Sequence, residues 1–458
     1  MPERKTIAAY LEAVQGQIRW KRARPVLIRE LERHLEDQRD AFLQKGKSPE
    51  EAERLAVRDM GDPVTVGTEL DAVHRPRPQW GLLGLTIALA AAGAVLRVVF
   101  RQPYVREALV VSRALSTLGL GTAVMLGMYF LDVSRLVRHA RAIYVGALAV
   151  GIATLYITAA QGVAYYTQYI LLLYPIAYAF WLYTWRNIRW KGVFLSILGG
   201  VPLAAVCCLT PSSFGLFVLL FSGLALTLYA AGRDWFGVGC WKGLAAVLAV
   251  PAVMLTYLLS RGYLNSFLGR VQIALHPMQD KKAKGFMGFI LQALWQDVPP
   301  LRQHGSVGIA VHAGARVRVL TSGGQEMRPI DFSHDFLPAS MAVAWGWVPL
   351  LVLLAALGGL FLWLLVKGLR QSYLPGRLVV LAVTLTLGLQ TLFSAALNFG
   401  FVLFSASLPL VVGNFQTVVD MALIGLALSV FRGDSVAREE PGGPLPRRKR
   451  LRLRIEYQ

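Results

Sequence analysis

Pro338 to Val366 reads PASMAVAWGWVPLLVLLAALGGLFLWLLV, a run without one charged side chain. It is longer than the ~20 apolar residues that a helix needs to cross a bilayer core. A surface helix of a soluble domain would carry a charged face, and this run has none. Similar runs recur along the chain. Read by length and hydrophobicity, they cover about 81–101, 109–131, 141–160, 165–185, 191–210, 212–231, 241–260, 338–366, 377–400 and 404–431, ten spans in all. A composition of 55% hydrophobic and only 16% charged residues agrees, since soluble globular domains carry roughly a quarter charged residues. The expected fold class is all-α, a polytopic membrane protein of about ten transmembrane helices.

The charges between spans give an orientation, because Lys and Arg accumulate in short cytoplasmic loops. Arg135, Arg138 and Arg141 follow the second run, and Arg186, Arg189 and Lys191 follow the fourth. Arg233 and Lys242 flank the link after the sixth, and Lys367, Arg370 and Arg377 follow the eighth. Links after the third, fifth and ninth runs are almost uncharged; Arg101 and Arg106 in the first link are the mild exception. Both termini are therefore expected in the cytoplasm, and the long polar segment of about 261–334, after the seventh run, on the outer side. This topology and the basic tail account for much of the formal charge of +20. The tail, 436–458, contains Arg447, Arg448, Lys449, Arg450, Arg452 and Arg454 and reads as a segment lying on anionic lipid rather than on nucleic acid. Cys207, Cys208 and Cys240 show no metal-ligand spacing and read as packing residues.

Residues 1–78 differ in kind, being highly charged and lacking any apolar run. Ile7, Tyr10, Leu11, Val14 and Ile18 share one helical face, and a second helix begins near Pro25, carries Leu27, Leu31, Leu35 and Phe42, and ends at Gly46. Ser48 and Glu51 form a capping box for a third, with Pro49 at its first position and Gly61, Asp62 and Pro63 as its stop. The residues Glu30, Leu31, His34, Leu35, Glu36, Asp37, Gly46, Ser48, Glu50, Glu51, Ala52, Met60, Gly61, Asp62 and Pro63 resemble the short prefix domain found before several Gram-positive permeases and membrane enzymes. That resemblance implies an accessory or regulatory role. A helical module that merely packs on the cytoplasmic face fits the same residues. The organisation expected is 1–78 prefix, 79–435 membrane domain and 436–458 tail.

The long segment between spans seven and eight holds the best lead to chemistry, since a loop of this length without a span of its own is usually functional or disordered. Within it, RVQIALHPMQDKKAKGF (Arg270–Phe286) sets the carboxylate of Asp280 beside Lys281, Lys282 and Lys284. A carboxylate can accept a proton from an attacking hydroxyl, and fixed cations or a bound divalent metal can stabilise a leaving anion. Such a cluster is also the commonest form of a solvated turn.

The membrane part resembles the SEDS family (shape, elongation, division and sporulation), with members such as RodA, FtsW and SpoVE. The loop pattern of Arg, Pro, Asp and then Gly with an aromatic is met by Arg270, Pro277, Asp280, Gly285 and Phe286. The element before the eighth span is met by Ser333, His334, Asp335 and Phe336, with Gly346 after it. Pro211, Ser212, Ser213, Phe214 and Gly215 stand at the family's Pro-Asp-Leu-Gly turn. Departures are equally specific. Val343 and Ala344 stand where the family has paired glutamates, Ile176 and Ala177 follow Pro175 where it has Ser-Glu, and Val412, Gly413, Asn414 and Phe415 occupy the last-span Ser-Tyr-Gly-Gly-Ser position.

The resemblance implies a peptidoglycan glycosyltransferase of the bacterial cytoplasmic membrane. Its substrate would be an undecaprenyl-pyrophosphate-linked precursor, and its partner a single-span penicillin-binding protein. It implies Asp280 as the base; Arg270, Lys281, Lys282 and Lys284 are the candidates for binding the leaving pyrophosphate, and Asp335 is a further substrate-binding candidate. A non-catalytic envelope scaffold on the same fold, and a lipid flippase or transporter, are the alternatives that the spans alone leave open. Asp420, inside the last span, is a functional-site candidate by default or else a structural carboxyl. Arg97 and Arg113 can snorkel or line an outer cavity; Gln390 and Asn398 read as interhelical hydrogen-bonding residues, and His276 as a solvated loop residue.

Overall fold

The computed structural model describes residues 6–20, 24–74, 78–100, 106–159, 167–210, 213–277, 285–298, 300–301, 309–312, 316–319, 330–331, 334–371, 373–411 and 413–433. It divides into two compact units, one built on Met1–Gln79 and the other on Trp80–Val430.

The first unit contains α1 (Ile7–Gln17), α2 (Arg24–Gln44), α3 (Pro49–Met60) and α4 (Pro63–His74). The faces marked by the apolar spacing meet: Tyr10, Leu11, Val14, Ile18, Leu27, Leu31, Leu35, Ala56 and Val57 form one buried cluster. Burial raises the pKa of the Tyr10 phenol, and the nearby Asp62 carboxylate raises it further. Gly46, at φ 81°, follows α2, and the Glu51 amide donates to Ser48 Oγ at 3.3 Å while the Glu51 carboxylate pairs with Lys47. The fourth helix corrects the three-helix reading. Gly61, at φ 89°, does end α3, but Asp62 then caps α4 by accepting the Thr65 amide at 2.9 Å, and Pro63 takes its first position.

The second unit is a polytopic membrane body built almost wholly of helices. Among the described residues, nine helices are long and apolar enough to cross a membrane. They are α5 (Trp80–Val99), α6 (Glu107–Phe130), α8 (Ala140–Ala159), α11 (Arg189–Cys208), α12 (Phe214–Gly232), α13 (Cys240–Ser260), α17 (Trp347–Leu369), α18 (Leu374–Asn398) and α19 (Phe415–Gly433), with a short α7 (Val133–Arg138) before α8. The run at 165–185 is broken into α9 (Thr167–Ile170), a 3-10 turn at Leu171–Leu173 and α10 (Tyr174–Thr184), with Pro175 in the first turn of α10. Every residue of α10 except Trp181 is buried, and α8, α11, α12 and α18 pack around it, which is why its sequence is apolar on all sides.

Two further differences from the sequence reading matter for the site. Pro338–Val366 is two helices, α16 (Leu337–Trp345) and α17, broken at Gly346. Gly346 has φ 93°, and a Cβ there would lie 2.4 Å from the Pro300 carbonyl oxygen, so the chain turns where only glycine fits. The segment after α13, read from the sequence as a long polar loop, has secondary structure of its own. It contains α14 (Asn265–Leu275), α15 (Phe286–Asp297) and three short antiparallel strands, β1 (Ile309–His312), β2 (Arg316–Val319) and β3 (Ile330–Asp331), in the order β1-β2-β3. Ile290, Leu291, Leu294 and Val298 pack on Ala339, Ala342, Val343 and Leu350, so α15 is a structural wall seated on α16 and α17.

Candidate functional site

The site grows from the non-helical link between α18 and α19, described at 399–411 and 413–414. Gly400, at φ 95°, turns the chain out of α18 against α15, where a Cβ would meet Gln292 at 2.6 Å. Trp295 of α15 closes this corner. Its indole N–H donates to the Asn398 carbonyl at 2.7 Å, and its ring lies 4.7 Å from that of Phe399, centroid to centroid.

Asn398 in turn fixes the start of α16. Its Oδ1 accepts the Ala339 amide at 3.0 Å, and its Nδ2 donates to the carbonyls of Asp335 and Ser394, both at 2.8 Å. Asp335 sits in the 3-10 turn His334–Phe336 that precedes α16. Its carboxylate accepts hydrogen bonds from the hydroxyls of Ser405 and Ser407. Main chain and side chain are thus both tied, while the residue stays partly open to solvent.

Beneath Asp335 the hydrogen bonds continue inward through buried side chains. Gln416 Nε2 donates to the Ser407 carbonyl at 3.3 Å and to Gln390 Oε1 at 2.7 Å. Gln390 Nε2 donates to Asp420 Oδ1 at 3.3 Å, and Asp420 Oδ2 accepts the Leu410 amide at 3.1 Å. Leu410 is a buried non-glycine residue at φ 67°. Gly413 donates its amide to Thr417 Oγ1 at 3.0 Å, and Arg97 Nη1 donates to the Gly413 carbonyl at 2.7 Å. Asn414 accepts the Gln416 amide at 2.9 Å and donates to the Tyr169 hydroxyl at 3.4 Å. An aromatic wall flanks the link: Phe404 lies 4.4 Å from Phe217 and 5.4 Å from Phe393, ring to ring, and Phe267 of α14 stacks on Phe217 at 5.5 Å.

Of the residues singled out in the sequence, Asp335 is at the centre of this arrangement. Arg270 is exposed on α14. Asp280, Lys281, Lys282 and Lys284 lie outside the described residues, as do Pro211, Ser212 and the basic tail. The chain on either side of Asp280 is described: Pro277 is buried against Gly288, and Gly285 is buried at the start of α15. Arg97 is half-buried and bonded to the link; Arg113 is exposed. Val343 belongs to the apolar cluster between α15 and α16. Among the described residues, no three His, Cys, Asp or Glu side chains converge as ligands for a metal ion. The sequence reading missed Ser405, Ser407 and Gln416. Their signal was weak but present, polar residues recurring through an otherwise apolar stretch from Gln390 to Asp420.

No family model and no curated protein matches the chain. Solved structures do. A chain described under "Structural coordination of polymerization and crosslinking by a peptidoglycan synthase complex" aligns with TM-score 0.57 and 22% identity, over 78% of this chain and 98% of that one. In fold, the chain is SEDS-like. The rod shape determining protein RodA of Thermus thermophilus is similar at 19% identity over 78% of this chain and 97% of RodA, with TM-score 0.49. A point mutant of that RodA aligns over 98% of its length with TM-score 0.48. In this body the link between α18 and α19 is held by amides, hydroxyls and one buried carboxylate.

Proposed function

We propose that this SEDS-like chain polymerises peptidoglycan glycan strands from an undecaprenyl-pyrophosphate-linked disaccharide at the outer face of a bacterial cytoplasmic membrane, with both termini in the cytoplasm. The observation that carries the reading is the fold: the chain aligns with 98% of a chain from a peptidoglycan synthase complex. The carboxylate of Asp335, partly open and held by two serines, supports it as a site for sugar hydroxyls.

Glycan extension requires a sugar hydroxyl of one unit to attack the anomeric carbon of another while the lipid pyrophosphate departs. A hydroxyl is a weak nucleophile at neutral pH, so a carboxylate within hydrogen-bond reach accepts its proton as the new bond forms. Asp280 is assigned that role, and Arg270, Lys281, Lys282 and Lys284 are assigned the departing pyrophosphate, whose developing negative charge fixed cations stabilise. Asp335 binds substrate hydroxyls. A single-span penicillin-binding protein is the proposed partner, supplying the crosslinking reaction.

Purified protein given lipid-linked disaccharide pentapeptide, divalent metal and the cognate partner should form polymer. Asp280→Asn should lower the rate by ~10²–10⁴-fold, the usual contribution of a positioned base. Asp335→Asn should raise KM by ~10–100-fold, the worth of a hydrogen bond to a charged group. Wild-type protein that forms no polymer under these conditions would sink the reading.

A further inference from the structure

Asp420 is a buried carboxylate that the chemistry above leaves unused. It is fully buried in α19, yet both its oxygens accept hydrogen bonds, one from the Gln390 side chain and one from the Leu410 backbone. A carboxylate in this position is costly and needs a compensating role. We propose that Asp420 is a positioning residue that sets the direction of an amide relay and so holds Ser407 against Asp335; the proposal rests on Asp335 being a substrate-binding residue.

The argument is one of donors and acceptors. Gln390 can present either its oxygen or its NH2 to Asp420, and Gln416 has the same choice toward Gln390. Asp420, whose two oxygens accept from the Gln390 side chain and from the Leu410 amide, removes the choice. Gln390 must turn its Nε2 to Asp420, which leaves its Oε1 for Gln416. Gln416 must then turn its Nε2 inward, where it serves both Gln390 and the Ser407 carbonyl. Ser407 is thereby fixed through its main chain, and its hydroxyl donates to Asp335. The other oxygen of Asp420 pins the Leu410 amide in a left-handed conformation that leucine seldom adopts, securing the same link three residues further on.

An isosteric change tests this sharply. Asp420→Asn keeps one acceptor for Leu410 but turns an NH2 toward Gln390. That conflict is relieved only if Gln390 and Gln416 both reverse, which aims the Gln416 oxygen at the Ser407 carbonyl. Adding Gln390→Glu repairs the pattern: its carboxylate accepts from the introduced amide on one side and from Gln416 on the other, and every remaining donor keeps its direction.

The experiment uses full-length protein in nanodiscs, read by amide hydrogen exchange over residues 403–411 and by polymerisation kinetics. Asp420→Asn should speed exchange in that segment by ~10-fold or more and raise KM by a similar factor, and Asp420→Asn with Gln390→Glu should return both to within ~3-fold of wild type. In an Asp335→Asn background, Asp420→Asn should add less than ~2-fold to KM, because its effect passes through Asp335. Gln416→Met, which breaks the relay while keeping the aspartate at position 420, should behave like Asp420→Asn and serves if that variant does not fold. Unchanged exchange in Asp420→Asn, no recovery in the double variant, or full additivity with Asp335→Asn would each overturn the proposal. If wild-type protein makes no polymer, the failure belongs to the proposed function, and the exchange measurements still decide the relay.

Discussion

Asn398→Asp changes one NH2 to an oxygen with almost no change of shape, and it strikes the corner on which the site is built. Wild-type Asn398 uses Oδ1 to accept the Ala339 amide and Nδ2 to serve two carbonyls, those of Asp335 and Ser394. The aspartate keeps the first bond and loses the other two. Its second oxygen would face two carbonyl oxygens, each 2.8 Å from the atom it replaces. A buried polar group left without its partner costs about 1–3 kcal/mol, so two give about 2–6 kcal/mol before any repulsion is counted. That corresponds to a local opening of the α16 start that is roughly 30-fold more populated or higher. Amide exchange at Ala339 and neighbouring residues in detergent-purified protein reads the opening, and fluorescence-detected melting reads the global loss. Asn398→Ala, which loses all three bonds but introduces no charge, should also be destabilising. If Asn398→Asp exchanged and melted like wild type, the placement of Asp335 by Asn398 would be refuted.

Other positions give independent tests. A Cβ on Gly93 would lie 2.4–2.5 Å from the Val411 backbone, so Gly93→Ala should cost about 1–3 kcal/mol by melting, while Gly84→Ala on the same helix, with nothing within 4 Å, should be neutral or stabilising by up to ~1 kcal/mol. Asp62→Ala removes the acceptor for the Thr65 amide and should weaken α4 by about 1 kcal/mol, seen as faster proteolysis within Pro63–His74.

The spans were legible because a bilayer-crossing helix needs little more than length and apolarity, both of which survive in a single sequence. The breaks were not. Pro338–Val366 reads as one helix until Pro300 is known to press on Gly346, and that contact joins residues far apart in the chain. The run at 165–185 reads as an ordinary span because a helix buried on all sides and one facing lipid have the same composition. Asp62 and Pro63 repeat the cap-and-proline signature of Ser48 and Pro49, and reading them only as a stop hid α4. At the site, Asp335 was marked by family pattern, but Ser405 and Ser407 bond to it across about seventy residues of sequence. Periodicity carries no trace of such a pairing, since a serine in a link announces no partner.

The polar residues of the link follow from a constraint that precedes any chemistry. A non-helical strand between two membrane-spanning helices has backbone amides and carbonyls that no helix satisfies, and inside a membrane protein such groups must be met by side chains, backbone or water. Here Asp420 meets the Leu410 amide, Thr417 the Gly413 amide, Asn414 the Gln416 amide, Gln416 the Ser407 carbonyl and Arg97 the Gly413 carbonyl. Each side chain is called for by the broken backbone, so the deep carboxylate and amides need not touch substrate to be indispensable. What they produce is a carboxylate at Asp335 whose partner Ser407 is held through its main chain by Gln416. Preorganisation of this kind lets a partly exposed group bind a hydroxyl without first ordering its own surroundings. The same coupling means that damage at Asp420, Gln390 or Gln416 should surface at Asp335.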